Sequence, residues 1–288
     1  MENDSEHKPH NAIDDQETGN RYYLHPLTGE RFLSVTTALS IITKPALLHW
    51  YGKQSAIRAV ENLNRLNQAA HVKLCAKSDC GHCLTCLMAE ISRAGTDERD
   101  AASSRGTRLH WVAQQYALTG QIVPHDADIE PHVKNFLDFV RVTEVEFEAS
   151  EVTVLDRRLM VGGTLDGIAR FGWLSKAYGD LIGKSILFDD KTSNNIYSRD
   201  GLQLAAYSNA ETVLLPNGEE LPLPDHDHDW ALSIQINAKG WWLRRCPVGE
   251  LAHQKFARAA QLWRDINEPD LDLVGRAMLK PRPKKAKR

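Results

Sequence analysis

The sequence predicts an α/β domain, a mixed sheet flanked by helices, preceded by a helical lobe that carries a cysteine-rich loop. Three observations predict it. Hydrophobic residues are 42% and charged residues 25% of the 288, ordinary for a globular chain and incompatible with a fibrous or wholly disordered one. Between residues 45 and 141 the periodic segments are helical, and the apolar period drops to two over 150–190. Helical and strand patterns then alternate to the end, the order of an α/β or α+β domain.

Residues 1–20, with six acids, one lysine and few large apolar side chains, read as a disordered acidic terminus. Arg21–Leu24 and Arg31–Val35 flank the turn Pro26-Leu27-Thr28-Gly29 and read as a β-hairpin. Residues 45–72 are helical in pattern, with Ala56, Val60, Leu63 and Ala70 near one stripe and Gly52 as an expected interruption. Residues 73–87 form the cysteine segment, and 94–106 (AGTDERDAASSRG) read as a flexible connector. A helix resumes with Leu109, Val112, Ala113 and Tyr116; a stronger one runs over 129–141 on Ile129, Val133, Phe136, Leu137 and Val140. Strands are expected at 150–155, 158–170 and 184–190, a helix at 200–213, strands at 229–236 and 241–246 around Asn237-Ala238-Lys239-Gly240, and a last amphipathic helix at 249–265. The organisation expected is therefore 1–20 acidic terminus, 21–104 hairpin and helical lobe with the cysteine loop, 105–270 core, and 271–288 basic tail.

The chain has no run of eighteen apolar residues, so no membrane span is expected. Its first residues lack the apolar centre of a secretory signal, so a cytoplasmic protein is expected. The net charge of −3 hides an asymmetry: residues 1–20 carry −5, and the tail KPRPKKAKR over 280–288 carries +6. Such a tail reads either as a phosphate-seeking arm or as a solvated end.

Five short patterns carry candidate chemistry. Ile186-Leu187-Phe188-Asp189-Asp190-Lys191 ends an apolar strand in two acids and a lysine. Alternation puts Asp189 and Lys191 on one face and Asp190 on the other. An acid and an ammonium side by side can hold a metal and a developing negative charge, although Asp-x-Lys alone also reads as an exposed ion pair. Asp166 lies in Gly162-Gly163-Thr164-Leu165-Asp166-Gly167, inside an apolar strand or at a hairpin turn. Glu151 precedes it in Ser150-Glu151-Val152, either facing the same site or exposed. His110, four residues after Gly106, is expected in the first turns of its helix, as a metal ligand or a structural histidine. Gln203 and Tyr207 share a helix face at i and i+4.

In this order, Gly-x-x-x-His, strand Glu, Gly-Thr-Leu-Asp, Asp-x-Lys-Thr and Gln-x-x-x-Tyr closely resemble the RecB-like branch of the PD-(D/E)XK nuclease superfamily. Within that branch the chain is most similar to the CRISPR-associated exonuclease type also found in phage genomes. The resemblance covers about 105–210 and implies a restriction-endonuclease-like core that hydrolyses DNA phosphodiesters with Mg²⁺ or Mn²⁺. Carried over residue by residue, it implies metal ligation by His110, Asp166 and Asp189, transition-state or water contact by Lys191, and support from Gln203 and Tyr207, with Glu151 as the match to the strand acid. It implies DNA, as duplex ends or single strands, as the partner, in recombination, repair or replication, and leaves room for a protein partner there. Two other readings stand beside the exonuclease: a structure- or site-specific endonuclease on the same fold, and a non-catalytic DNA-binding module on a degenerate one.

Four of the five cysteines, Cys75, Cys80, Cys83 and Cys86, are spaced C-x4-C-x2-C-x2-C with His71 and His82 nearby. Such density points to metal binding, as structural zinc or as an iron–sulfur cluster. Iron–sulfur members of the resembled family place one cysteine before the histidine motif and three after the Gln-Tyr helix. Here all four precede His110, which favours zinc. Cys246 reads as a small buried side chain. In the lobe, Lys44, Trp50, Tyr51, Lys53 and Arg58 mix bases with aromatics, as strand-binding surfaces and ordinary helix faces both do.

Overall fold

The computed structural model describes residues 10–42, 45–70 and 83–268. In chain order these form β1 (Ala12–Asp14), β2 (Arg21–Leu24), β3 (Arg31–Ser34), α1 (Val35–Ala38), α2 (Pro45–Glu61), α3 (Leu63–Ala69), α4 (Leu84–Thr119), α5 (Glu130–Thr143), β4 (Val145–Asp156), β5 (Val161–Phe171), β6 (Ile186–Lys191), α6 (Ser198–Ser208), β7 (Thr212–Leu214), β8 (Glu220–Pro222), β9 (Trp230–Asn237), β10 (Gly240–Pro247) and α7 (Glu250–Asn267). The fold is mixed α/β, a mostly antiparallel sheet flanked by helices; β3–β5 and β6–β9 are its parallel pairs.

The sheet forks at β5. Along one edge β5 pairs with β4 over nearly its whole length. Along the other, Val161 and Gly162 pair with β3, whereas Gly167, Ile168 and Ala169 pair with β6. Residues 163–166 lie in the gap. One branch continues through β3, β2 and β1, the other through β6, β9 and β10.

Each face has its own core. The second half of α4, with Leu109 and Val112, and α5, with Val133, Phe136 and Phe139, cover Phe171, Ile186, Phe188, Leu232 and Ile234. On the opposite face α6 and α7, through Leu204, Tyr207, Phe256 and Trp263, cover Val154, Ile168, Leu187 and Ala231. The alternation of Ile186 and Phe188 against Leu187 shows β6 buried on both sides, as expected of a strand inside a two-faced layer.

Helix ends follow local chemistry. Gly120, with φ of +70°, ends α4 in a left-handed cap. Pro131 sits in the first turn of α5, where a missing N–H removes no helical bond. The Asp200 carboxylate accepts the Tyr197 amide at 2.7 Å at the start of α6.

The structure corrects several expectations. Residues 10–20 are ordered: β1 pairs with β2, Asp14 binds Arg21, and Asp15 accepts the amides of Glu17 and Thr18. Polar residues there make a turn rather than a tail; residues 1–9 lie outside the described residues. Gly52 does not interrupt α2, since one glycine costs about 1 kcal/mol and its neighbours favour helix. The expected connector at 94–106 is the middle of α4, a 36-residue helix. It contains no proline, and both of its ends pack. His110 therefore lies in the last third of a helix, not in its first turns. The expected helix at 200–213 stops at Ser208, because Thr212–Leu214 pair with the open edge of β4. Leu137 leaves the core stripe and is exposed. Among the described residues, no helix is long and apolar enough to cross a membrane.

Candidate active site

The gap in β5 opens into a cavity of about 810 Å³. Its walls include Thr164 and Asp166 of β5, Asp189, Asp190 and Lys191 at the end of β6, Gly106 and His110 of α4, Glu151 of β4, and Gln203 and Tyr207 of α6. All seven residues singled out for catalysis thus meet in one place.

Each element contributes through a local device. Where pairing with β6 ends, the Asp166 carboxylate accepts the Asp190 backbone N–H at 2.6 Å, so the acid closes the fork while turning toward the cavity. Glu151 has φ of +51°, a left-handed conformation unusual for this side chain, beside register pairs Ser150↔Gly167 and Val152↔Leu165. That kink lies directly across from Asp166. Gly106 lets α4 approach β6: a Cβ there would stand 3.1 Å from Thr192 Oγ1. His110, one turn on, reaches in from the same helix face.

His110 Nδ1 lies 3.6 Å from Glu151 Oε1 and 3.7 Å from Asp166 Oδ2. One ligand atom from each of these three residues falls within 4.8 Å of the others, close enough to share an ion. Asp189, almost wholly buried, is ion-paired with Lys191 and lies outside that group. Of the expected ligands His110, Asp166 and Asp189, the first two fall in this group, together with Glu151, and Asp189 does not.

Asp190 is the other departure. Alternation does turn it away from Lys191, but the face it enters is the one α4 covers. Its carboxyl lines the same cavity and lies in the field of Asp166 and His110. The expectation that Asp190 faces away from the site is corrected.

The electrostatics are those of crowded acids. Burial pushes the Asp189 carboxyl up to about 7, with Lys191 opposing and Asp166 adding to the rise. Burial and Asp166 push Asp190 to about 8, and burial also raises Asp166. Burial would lower His110, but Asp166 and Glu151 outweigh it and lift the imidazole to about 10. Lys191 is likewise held protonated, because Asp189 and Asp166 outweigh its burial. Oδ1 of Asp190 is buried with no hydrogen-bond partner. Carboxylates of this kind repel one another until a cation or protons join them.

On the α6 side, Gln203 Nε2 donates to the Tyr207 hydroxyl at 3.2 Å. Gly163 makes room for that ring: a Cβ there would be 2.3 Å from Tyr207 Cε1. Beyond Lys191, Gln235 Nε2 donates to the Ser193 carbonyl at 2.6 Å, and Arg244 donates to Gln235 Oε1 at 2.8 Å. Sequence reasoning missed Gln235. The signal was present as Ser233, Gln235 and Asn237, three polar residues with period two in an apolar strand, all buried.

Of the cysteine set, Cys83 precedes α4 and is buried, and Cys86 lies in its first turn. Cys75 and Cys80 lie outside the described residues, as do His71, His82, Lys44 and the 271–288 tail. Tyr51 is used in packing: its ring lies against Gly95, and its hydroxyl accepts from Arg99. Cys246 is buried against α6, as a small apolar side chain would be. A comparison of the chain with protein-family models and with curated proteins finds no match.

Proposed function

We propose that this chain is a metal-dependent deoxyribonuclease with a PD-(D/E)XK core of the RecB-like type, acting as an exonuclease on DNA ends or single strands. The observation that carries the reading is the convergence of His110, Glu151 and Asp166 within ion-sharing distance, next to the Asp189–Lys191 pair. Hard carboxylate oxygens with one imidazole suit Mg²⁺ or Mn²⁺. The unpartnered Asp190 oxygen and the raised carboxyl groups fit a site completed by a cation. When bound, the ion supplies a water of lowered pKa and charge to offset the scissile phosphate.

The chain's own groups do the rest. Asp166 and Glu151 would hold the ion, and they flank His110, which lies 3.6 Å from Glu151 and 3.7 Å from Asp166. Lys191, fixed by Asp189, presents a permanent positive charge to the phosphoryl oxygen as negative charge develops. Tyr207, held by Gln203 and packed on Gly163, fixes the α6 wall. The cysteine segment is proposed to hold zinc, or an iron–sulfur cluster, as a structural clip. The basic tail is proposed to contact phosphates.

The test is incubation of purified protein with Mg²⁺ or Mn²⁺ on end-labelled linear and covalently closed DNA. Loss of the linear form alone, abolished in Asp166→Asn, supports the exonuclease. Nicking of closed DNA assigns an endonuclease instead. No cleavage with either ion overturns the catalytic reading.

A further inference from the structure

We propose that β9 and β10 extend the candidate active site into a platform for single-stranded DNA, with Trp242 stacking on a base beside the scissile phosphate and Arg244 holding the adjoining phosphate. The proposal rests on the nuclease reading for the meaning of that phosphate, but its binding test does not require cleavage.

The register carries it. Lys191 of β6 pairs with Gln235 of β9, and Gln235 pairs with Trp242 of β10. Two residues earlier along β6, Asp189, Ser233 and Arg244 form the parallel row. Residues opposite one another across a sheet share a face. Cys246, two positions on from Arg244, is buried on the α6 side, which fixes that face as the one bearing Lys191. Trp242 thus stands two strands from the catalytic lysine, roughly 10 Å away at the usual strand spacing. Between them Gln235, 2% exposed, is buried beneath the Ser193 segment and tied to both Ser193 and Arg244, which fixes the position of Arg244 relative to the end of β6.

At the end of this row the chemistry changes. Trp242 is 42% exposed on an edge strand, and its ring lies against Gly240, 3.5 Å from where a Cβ would be. An exposed indole held flat by a neighbouring glycine is already ordered for stacking. Residues 230–249 contain Lys239, Arg244 and Arg245 and no acid, in a chain whose net charge is −3. Arg245 points to the other face, where it binds Asp180 and stacks on Trp230. Lys239 and Arg244 remain beside Trp242, both exposed. Exposed basic side chains beside an accessible aromatic, two strands from Lys191, fit a nucleic-acid strand with unpaired bases. Away from its ends a duplex keeps its base faces stacked internally and offers none to Trp242.

The test measures fluorescence anisotropy of a labelled oligothymidylate with the full-length protein in EDTA, where nothing is cut. Trp242→Ala should weaken binding about tenfold to a hundredfold, and Trp242→Phe by less than about threefold, with an unchanged thermal midpoint in both. An oligomer of abasic sugar–phosphate should bind the wild type more weakly than oligothymidylate, and Trp242→Ala should lose that preference. Arg244→Ala should reduce the log–log salt slope by about 0.7. Equal affinity of wild type and Trp242→Ala, no oligothymidylate binding at all, or an equal loss on blunt duplex would each overturn the platform. If the wild type binds as described but cuts nothing with Mg²⁺ or Mn²⁺, the nuclease reading fails and the platform stands.

Discussion

Asp190 carries a buried oxygen without a hydrogen bond, beside acids that burial has already raised, so its own carboxylate matters to the site. Asp166→Asn, Asp189→Asn and Lys191→Ala should each reduce kcat by roughly 100- to 1000-fold, the effect of losing one electrostatic partner worth about 3–4 kcal/mol. Asp190→Ala should also reduce it, by a smaller factor; single-turnover cleavage rates check all four. Metal uptake should depend on pH with a definite sign. Asp189 near 7, Asp190 near 8 and His110 near 10 are protonated in part or whole at pH 7. An ion on the His110, Glu151 and Asp166 group needs the imidazole deprotonated, and its charge favours the ionised forms of Asp189 and Asp190 beside it, so affinity for Mn²⁺ should rise from pH 6 to 9 with release of protons. Calorimetry in buffers of different ionisation enthalpy reads that release; pH-independent affinity would show that the ion does not bind at His110 or beside these acids.

At the scale of elements, two glycines make opposite predictions. Gly163→Ala puts a methyl into the buried Tyr207 ring and should lower stability by about 1–3 kcal/mol while displacing the α6 wall. Gly52→Ala meets nothing within 4 Å in the middle of α2 and should raise stability by about 0.5–1 kcal/mol. Urea titrations of the pair decide whether α2 is continuous. A second element-level test concerns the β7–β8 hairpin. Glu220 is held near 2 by its hydrogen bonds to Arg157, aided by Thr212 and nearby His25. Its folded pKa is depressed, so its contribution is complete above about 4.5 and is lost as pH falls toward 2. Glu220→Gln should flatten the fall in urea midpoint across that window. The strands were legible because Ile186, Leu187 and Phe188 are unbroken by turn residues, and α5 because its stripe is strong. The connector reading of 94–106 failed because its middle is solvent-exposed; helix there is set by packing at both ends, which local composition does not record.

For the whole molecule, the candidate site was legible as five separated patterns, each ambiguous, and folding adds their convergence. Glu151 and Asp166 are fifteen residues apart in sequence yet directly opposed across β4 and β5. What could not be read was which acid faces which partner, since that depends on the fork in β5 and the kink at Glu151. Because the ion would bind the folded state alone, Mn²⁺ at a hundred times its dissociation constant should add about 2.7 kcal/mol of stability. Differential scanning calorimetry should show a raised Tm in the wild type and none in Asp166→Asn. One consequence follows from α4. Its residues 97–104 are all exposed, while Gly106 abuts Thr192 at the cavity and Cys83 caps its far end. The 24 residues from Cys83 to Gly106 span about 35 Å as a stiff rod. Pivoted at Gly106, that rod is a lever: each degree of tilt swings the cysteine end by about 0.6 Å, while His110, one turn beyond the pivot, moves about a sixth as far. Whatever grips the cysteine end therefore holds a mechanical advantage over the imidazole.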